Sequence, residues 1–198
     1  MKKTLTTIIA MLMIATAVSA QDIVLPQPQK TGGMPLMEAL SKRQSIRSFS
    51  GESLDNQTIA NLLWAAWGYN REDKRTAPSG MNKQEIELYV VFPNGTYLYD
   101  ARANKLILVS KADLRKSVSG GQTFAESAPV NIVYVADKTK GDGAMTAAYI
   151  SQNVYLFCAS EGLATVARGG FNGEEISKAL NLPDTQKTIL VQPVGKIK

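Results

Sequence analysis

The chain has 198 residues, with 22 lysines and arginines against 17 acidic residues and a formal net charge of +5. Its length suits one domain, and an apolar share of 44% excludes a mostly disordered chain. The sequence has no histidine and a single cysteine, Cys158, which excludes Ser-His-Asp and Cys-His catalysis, histidine-zinc sites and an internal disulfide. We expect Cys158 to be a buried thiol, because it lies in an apolar stretch, and we predict no metal site.

The first twenty residues have the pattern of a secretory signal peptide. Lys2 and Lys3 precede an apolar run over 8–18, and the small residues around Ala20 are typical of a cleavage site. The run is shorter than the roughly 20 residues that span a bilayer, and a membrane anchor is the alternative. Cleavage after Ala20 removes two lysines and no acid, which lowers the net charge from +5 to +3. We therefore expect a periplasmic or secreted protein that is not stably inserted in the membrane after cleavage and does not bind nucleic acid.

The first half of the mature sequence predicts two helices. Residues 21–34 form a lead-in with prolines and glycines, which we expect to be extended or mobile. A helix begins near Pro35, where the missing N–H is harmless, and ends at Lys42-Arg43, before a short extended piece over 45–49. A second helix runs from Asp55 to Gly68, a plausible C-terminal cap, and precedes a polar loop over 69–85. Among the aromatic residues, we expect Trp67, Tyr69 and Tyr97 to pack in the core rather than to wall a pocket.

The second half predicts a β meander and further helices. Asn94-Gly95 is a strong hairpin signal between alternating strands. The continuous apolar run over 130–136 is typical of a central strand covered on both faces. The helix over 145–161 is apolar almost all round, which predicts burial in the core or in an oligomer interface. The other predicted elements are strands at 86–92, 96–100, 105–110, 163–167 and 188–194, and helices at 112–118 and 174–180, the last capped by Asn172. This order favours an α+β sandwich.

Three clusters outside the periodic segments carry groups suited to a ligand. The first combines Arg43, Gln44, Ser45 and Arg47, and guanidinium groups suit phosphates and planar carbonyl groups. The second is the turn-rich loop of Pro78, Ser79, Gly80, Asn82 and Gln84. The third is Arg168-Gly169-Gly170, where two glycines allow a ligand to approach the backbone. Each alone has an ordinary structural explanation, and neither a dinucleotide fingerprint nor a P-loop is present.

In this order the clusters resemble the motifs of the nitroreductase family of FMN enzymes, over a domain from residue 35 to 198. The first cluster is similar to that family's N-terminal FMN motif. Residues 77–84 are similar to its second motif, which comes across the dimer interface. Gly169-Gly170-Phe171 is similar to the segment that passes the flavin ring, and Pro193-Val194-Gly195 is similar to the strand that leads to a phosphate-contacting basic residue.

The resemblance implies a homodimer that binds FMN non-covalently at two equivalent sites, in a sandwich whose mixed, mostly antiparallel sheet lies between helices. Arg43, Ser45 and a C-terminal lysine, Lys196 or Lys198, would bind the phosphate. Arg47 would favour the reduced ring, and a backbone N–H of Gly169 or Gly170 would face N5, where hydride enters and leaves. Ser79, Asn82 and Gln84 would come from the partner subunit. The remaining implied contacts are Gln44, Pro78, Gly80, Gln122 and Arg168.

A branch of the family is also suggested. Similarity to the azoline dehydrogenase-like branch is found at residues 63–68, 75–79, 97–100 and Gly121-Gln122. Unlike the peptide-modifying enzymes of that branch, the chain keeps little beyond the core domain. The implied function is a flavin-based oxidoreductase that transfers hydride to or from a small electron-poor or heterocyclic substrate, with an electron donor that the sequence does not identify. Azoline dehydrogenation on peptides and a non-catalytic periplasmic flavin-binding protein are the alternatives.

Overall fold

The computed structural model describes residues 21–198, so the signal-peptide prediction for residues 1–20 lies outside the described residues. The helices are α1 (Leu36–Lys42), α2 (Asn56–Trp67), α3 (Arg115–Ser119), α4 (Ala144–Glu161) and α5 (Gly173–Ala179). The strands are β1 (Ile23–Val24), β2 (Ile86–Phe92), β3 (Gly95–Asp100), β4 (Lys105–Ser110), β5 (Val130–Asp137), β6 (Leu163–Thr165) and β7 (Gln186–Lys196). Short 3₁₀ turns lie at Gly80–Asn82 and Thr123–Ala125.

The seven strands form one sheet in the order β1-β4-β3-β2-β5-β7-β6. Each pair of neighbouring strands in residues 21–198 is antiparallel. The sheet described there is therefore wholly antiparallel, rather than mixed and mostly antiparallel as the resemblance implies. β5 lies between β2 and β7, and seven of its eight residues are buried, which confirms the prediction of a central strand. The predicted meander and its turn at Gly95 are also confirmed.

Helices cover both faces of the sheet, which confirms the α+β sandwich. Side chains alternate between the faces along each strand. Leu88 and Val90 of β2 pack in the larger core, beneath residues of α2 and α4. Their neighbours Tyr89 and Val91 face the opposite side and pack in a second core with residues of α3 and α5. Trp67 and Tyr97 belong to the larger core, as predicted, whereas Tyr69 is only half-buried.

Local chemistry explains where the two longest helices begin and end. Asp55 caps α2, because its carboxylate accepts a hydrogen bond from the Thr58 N–H at 2.7 Å. Gly143 and Gly162 flank α4, and both adopt left-handed φ angles, of 73° and 67°. A side chain at Gly143 would place its Cβ 2.6 Å from Ile86 Cδ1, so only glycine fits against the sheet there.

The lead-in is extended and tied down along its length. Ile23–Val24 pairs with β4, and Leu25 beyond it is buried. The side-chain amide of Asn104 donates to the carbonyl oxygen of Leu25 at 3.1 Å, and the Met34 N–H donates to Ser160 Oγ at 2.7 Å. The lead-in therefore covers the edge of β4 and reaches the C-terminal end of α4.

Several predicted boundaries are wrong by a few residues. The helix expected at 112–118 begins only at Arg115, after Leu114. The strand expected at 163–167 ends at Thr165, because the backbone N–H of Ala167 bonds to a side chain instead of to the sheet. Residues 45–49, predicted only as a short extended piece, contain no helix, and Phe49 forms a single bridge with Ile197.

Helix α4 is not buried all round within one chain. Ala147, Ile150, Val154 and Cys158 face the core, whereas Met145 and Tyr149 are exposed by 69% and 43%. Cys158 is buried as predicted, and its burial raises the pKa of the thiol. None of the helices in residues 21–198 has both the length and the apolar character that a membrane span requires.

Candidate functional site

The first cluster follows the end of α1 and is anchored on α4. Arg43 ends α1, and its guanidinium carbon lies 5.2 Å from the centroid of the Tyr155 ring, which is cation–π distance. Ser45 Oγ lies 2.9 Å from the Tyr155 hydroxyl oxygen. Arg47 and Gln44 are exposed. Tyr155 thus fixes one side of the first cluster and leaves its other polar groups accessible.

The same tyrosine joins the first cluster to the third. Its hydroxyl oxygen accepts a hydrogen bond from the Ala167 N–H at 2.9 Å, immediately before Arg168. The backbone N–H of Ile46 donates to the Thr165 carbonyl oxygen, also at 2.9 Å. The structure therefore brings together two clusters that lie more than 100 residues apart in the sequence.

The C-terminal end of β7 lies beside the same cluster. The Ser50 N–H donates to the Lys196 carbonyl oxygen at 3.0 Å, and the Lys198 N–H donates to that of Ser48 at 3.3 Å. Lys196 Nζ is paired with Glu52 at 2.6 Å, in an exposed ion pair. The ammonium group of Lys198 has no ion-pair partner in residues 21–198. Of the two lysines predicted from the sequence, Lys198 is therefore the one whose charge is available.

Arg168 supports the glycine loop from beneath. Its side chain is only 6% exposed, and its guanidinium donates to the carbonyl oxygens of Val118, Ser119 and Gly170. Its Nε donates to Gln122 Oε1 at 3.0 Å. These bonds hold the glycine loop against the segment after α3. The guanidinium of Arg168 and the side-chain oxygen of Gln122 already form hydrogen bonds within the protein. The structure therefore does not show that either residue contacts a cofactor, and that contact stays a prediction.

The charge of Arg168 has no acidic counterpart nearby. No carboxylate in residues 21–198 lies within ion-pair distance of it. Burial lowers the pKa of its guanidinium, and the neighbouring charge of Arg47 lowers that pKa further. Two cations thus lie near each other at the junction of the first and third clusters, which makes this place attractive to an anion.

Gly169 and Gly170 present free backbone donors at the surface. Both residues are exposed, and neither N–H makes a hydrogen bond within the described part of the chain. A Cβ on Gly169 would meet nothing within 4 Å. The loop can therefore place a backbone N–H against a ligand, as the sequence predicts for Gly169 or Gly170.

The second cluster forms a compact network around Gln84. Ser79 Oγ accepts a hydrogen bond from the Gln84 N–H at 3.0 Å. The Gln84 side-chain amide donates to the Asp73 carbonyl oxygen at 2.8 Å and to Asn82 Oδ1 at 3.1 Å. Its Oε1 accepts from Arg75 Nε at 2.9 Å. The side chain of Gln84 therefore orders the loop, while Pro78 and Gly80 remain exposed.

This loop also stores backbone strain, which the sequence did not reveal. Met81, Asn82 and Gln84 have φ angles of 51°, 56° and 47°, in the left-handed region that residues with a side chain seldom adopt. Such residues cost on the order of 1–3 kcal/mol each and are concentrated at functional sites. The side chain of Met81 is 85% exposed, so packing within the chain does not explain its conformation.

One chain does not unite the second cluster with the other two. Glu85, directly after the second cluster, accepts a hydrogen bond from Thr146 Oγ1 at 2.6 Å, near the start of α4. Tyr155, which anchors the first cluster, lies nine residues further along that helix. This separation corresponds to about 14 Å and about two and a half turns. The two clusters therefore lie on opposite sides of α4, towards its opposite ends.

The role of Tyr155 was not predicted from the sequence, where this residue lies within the apolar helix over 145–161. A tyrosine hydroxyl in such a helix needs a hydrogen-bond partner when it is partly buried. That requirement was the available signal, but the sequence does not show that the partners are Ser45 and Ala167.

Comparison with known proteins identifies the family of the chain. The model of the family described as "Nitroreductase family" matches residues 40–196. A protein of Methanocaldococcus jannaschii that is assigned as a nitroreductase is 26% identical over 195 residues, which cover 88% of this chain and 96% of the relative.

Solved structures are also similar. A crystal structure of a protein from Ralstonia eutropha, likewise assigned as a nitroreductase, is 37% identical with a TM-score of 0.85 and covers 93% of each chain. An FMN-dependent nitroreductase from Clostridium difficile is 21% identical with a TM-score of 0.60, and the match covers 82% of this chain and 87% of that one. The latter likeness concerns the fold alone.

Proposed function

Because the chain belongs to the nitroreductase family, which indicates an oxidoreductase, we propose that it is an FMN-dependent enzyme acting on a small electron-poor or heterocyclic substrate. When bound, FMN supplies hydride transfer at its N5 atom. The observation that carries this proposal is the convergence of the first and third clusters on Tyr155, where the predicted phosphate-binding and ring-contacting groups lie in one region.

The groups present fit an anionic, planar cofactor. Arg43, Arg47 and Lys198 have no carboxylate partner in residues 21–198, so their charges are available to a phosphate or to an anionic ring. Arginine suits phosphate because its planar fork of donors matches two oxygens at once. The unpaired N–H groups of Gly169 and Gly170 suit a ring heteroatom that accepts a hydrogen bond.

Each of these residues then has a defined task. Arg43, Ser45 and Lys198 would hold the phosphate, and Lys196 would assist when its exposed pair with Glu52 opens, since such pairs contribute little energy. Arg47 would stabilise negative charge on the reduced ring. The buried charge of Arg168 adds to the positive potential, while its bonds keep the glycine loop in place. No side chain need act as a general base, which agrees with a sequence without histidine.

We also propose that the active form is a homodimer in which the second cluster of one subunit completes the site of the other. This proposal rests on the separation of the clusters within one chain and on exposed apolar side chains. Leu36, Met37 and Leu40 of α1 are exposed by 62%, 74% and 43%, and Met145 and Tyr149 of α4 are exposed by 69% and 43%. Large exposed apolar side chains are typical of subunit interfaces.

The predicted leader over 1–20 supports export, and we propose that the enzyme acts in the periplasm or outside the cell. Its physiological electron donor would then be found there. The non-catalytic alternative, a periplasmic flavin-binding protein, is distinguished by whether bound flavin can be reduced and reoxidised.

The test uses the mature chain loaded with FMN under anaerobic conditions. NADH, NADPH, a dithiol and a quinol are offered in turn, and flavin absorbance is followed. We expect at least one donor to bleach the flavin and a nitroaromatic compound to restore its absorbance in a single turnover. Bound flavin that none of these donors reduces would instead support the flavin-binding alternative.

A further inference from the structure

A second group of arginines lies away from the site around Tyr155. A cavity of about 190 Å³ opens at the end of the β3–β4 hairpin. Arg75, Arg102 and Tyr99 line it together with apolar side chains. The family motifs and the proposed FMN site leave Arg102 and Tyr99 without a task, and Arg75 enters only through its bond to Gln84.

The two arginines both pack on the ring of Tyr69. The guanidinium carbon of Arg75 lies 4.0 Å from the ring centroid, and that of Arg102 lies 3.5 Å from it. Arg75 also donates through Nη1 to the Trp67 carbonyl oxygen at 2.8 Å, and Arg102 donates through Nη1 to the Glu72 carbonyl oxygen. Each guanidinium keeps an Nη2 without a hydrogen-bond partner in residues 21–198, and neither forms an ion pair there.

Tyr99 adds a third donor. Its side chain is 8% exposed, and its hydroxyl makes no hydrogen bond within the described chain. Burial raises the pKa of this hydroxyl well above its ordinary value, so it keeps its proton over the physiological range. A protonated hydroxyl in this position can donate to an oxygen atom in the cavity.

Two acids, Glu87 and Asp100, also line the cavity, but neither forms an ion pair with the two arginines in residues 21–198. Oε2 of Glu87 accepts hydrogen bonds from the Tyr89 hydroxyl at 3.3 Å and from the Gln186 side-chain amide at 3.1 Å. Asp100 is the remaining acid, and its Oδ1 accepts two backbone N–H groups of the following turn at 2.9 Å. Both guanidinium groups therefore lack a carboxylate partner, although two acids lie in the same lining.

We propose that this cavity binds a small oxyanion through Arg75, Arg102 and Tyr99. Guanidinium groups prefer carboxylate, phosphate and sulfate oxygens, which they bind through two parallel hydrogen bonds. Arg75 is partly buried, and a partly buried guanidinium without an anionic partner is costly, so an oxyanion would remove that cost. Arg102 is exposed and would add the second charged contact. The volume admits a small ion such as acetate or phosphate but not a nucleotide.

Occupancy of this site also bears on the loop of the second cluster. Arg75 holds the anion with its outer nitrogen and holds Gln84 Oε1 with its Nε, so both contacts restrain the same guanidinium. An anion would therefore stiffen the strained segment over 81–84. The oxyanion site itself does not depend on the proposed FMN chemistry.

The test is calorimetric titration of the full mature chain with formate, acetate, phosphate and sulfate at constant ionic strength in chloride. We expect saturable binding of at least one of the four anions. Tighter binding of formate and acetate would indicate a carboxylate ligand, and tighter binding of phosphate and sulfate would indicate a phosphate-like ligand. Arg102→Gln and Tyr99→Phe should each weaken it, by about tenfold or more for the charged contact. Arg71→Gln is the matched control, because this exposed arginine bonds to Asn70 and does not line the cavity.

Two results would overturn the proposal: no saturable binding of any of the four anions, or equal affinity in Arg102→Gln and Arg71→Gln. Thermal unfolding of each variant verifies the fold, and we expect Tyr99→Phe to be folded because its hydroxyl has no partner to lose. FMN affinity is measured in parallel. Loss of FMN binding with intact oxyanion binding would contradict only the proposed function, and the reverse pattern would contradict only the oxyanion site.

Discussion

The hydroxyl oxygen of Tyr155 accepts a hydrogen bond from the backbone N–H of Ala167 at 2.9 Å. The same oxygen lies 2.9 Å from Ser45 Oγ, so one atom of α4 connects two of the sequence clusters. This contact sets the spacing between the arginines of the first cluster and the free N–H groups of Gly169 and Gly170. The proposed cofactor site depends on that spacing.

Replacing Tyr155 by phenylalanine removes this connection without removing the ring. The Ala167 N–H then loses its partner, and we expect a loss of about 1 kcal/mol in unfolding free energy, at the lower end for an unsatisfied donor. FMN binding should weaken, because the glycine loop is no longer tied to the first cluster. Urea denaturation and flavin titration measure the two effects. Parental stability and parental FMN affinity in Tyr155→Phe would be evidence against the connection.

Arg43→Ala tests the phosphate contact. Loss of one charged hydrogen-bond partner costs about 1.5–3 kcal/mol, which corresponds to an increase in the FMN dissociation constant of roughly ten- to one-hundred-and-fifty-fold. Fluorescence titration of FMN measures it. The neighbouring Lys42, exposed and paired with Glu38 at 2.7 Å, provides the control Lys42→Ala, for which we expect an unchanged affinity. An Arg43→Ala protein with the parental affinity would refute this assignment.

Arg47 and Arg168 should separate electrostatic from structural effects. Arg47 is exposed, so Arg47→Ala should change stability by less than about 0.5 kcal/mol while it lowers the midpoint potential of bound flavin. Each tenfold loss of preference for the reduced form corresponds to about 30 mV for a two-electron couple.

Arg168→Met should instead reduce stability. It leaves the carbonyl oxygens of Val118, Ser119 and Gly170 without this donor, at a cost of about 1–3 kcal/mol. Denaturation curves and spectroelectrochemistry on both proteins provide the comparison. A potential that is unaffected by Arg47→Ala would exclude its role at the reduced ring.

Local sequence signals predicted most of the secondary structure because local chemistry determines it. Asp55 is the cap of α2, the Asn94-Gly95 pair marks the hairpin, and the apolar run of β5 is the central strand. Boundaries failed where a tertiary contact replaced a sheet bond. The predicted strand over 163–167 ended early because the Ala167 N–H bonds to Tyr155, a partner from another element.

The candidate site was predictable in its residues but not in its geometry. Sequence order identified Arg43, Ser45, Arg47 and the two glycines, and the structure places these side chains and loops in one region. The sequence did not indicate that the donors of Arg168 are engaged by carbonyl oxygens, nor that Lys196 is paired with Glu52. Such pairings arise between segments that are distant in the sequence, and no local pattern encodes them.

The two glycines that flank α4 allow a matched test of packing. Gly143→Ala and Gly162→Ala both place a side chain at a left-handed φ, at a cost of about 1–2 kcal/mol. Only Gly143→Ala also brings a Cβ within 2.6 Å of Ile86 Cδ1 and 2.8 Å of Ala136 Cβ, whereas nothing lies within 4 Å of a Cβ at Gly162. Overpacking adds about 1–3 kcal/mol. Urea denaturation should therefore show a larger loss for Gly143→Ala, and equal losses would contradict the close approach of α4 to the sheet.

We propose above that this chain binds FMN in the region around Tyr155. The most direct measurement is the absorbance spectrum of the purified mature protein after incubation with FMN and removal of free flavin. We predict a retained, protein-perturbed flavin spectrum with one FMN per chain, and a marked loss of retention in Arg43→Ala but not in Lys42→Ala. A protein that retains no flavin at any FMN concentration tested would refute FMN binding by this chain.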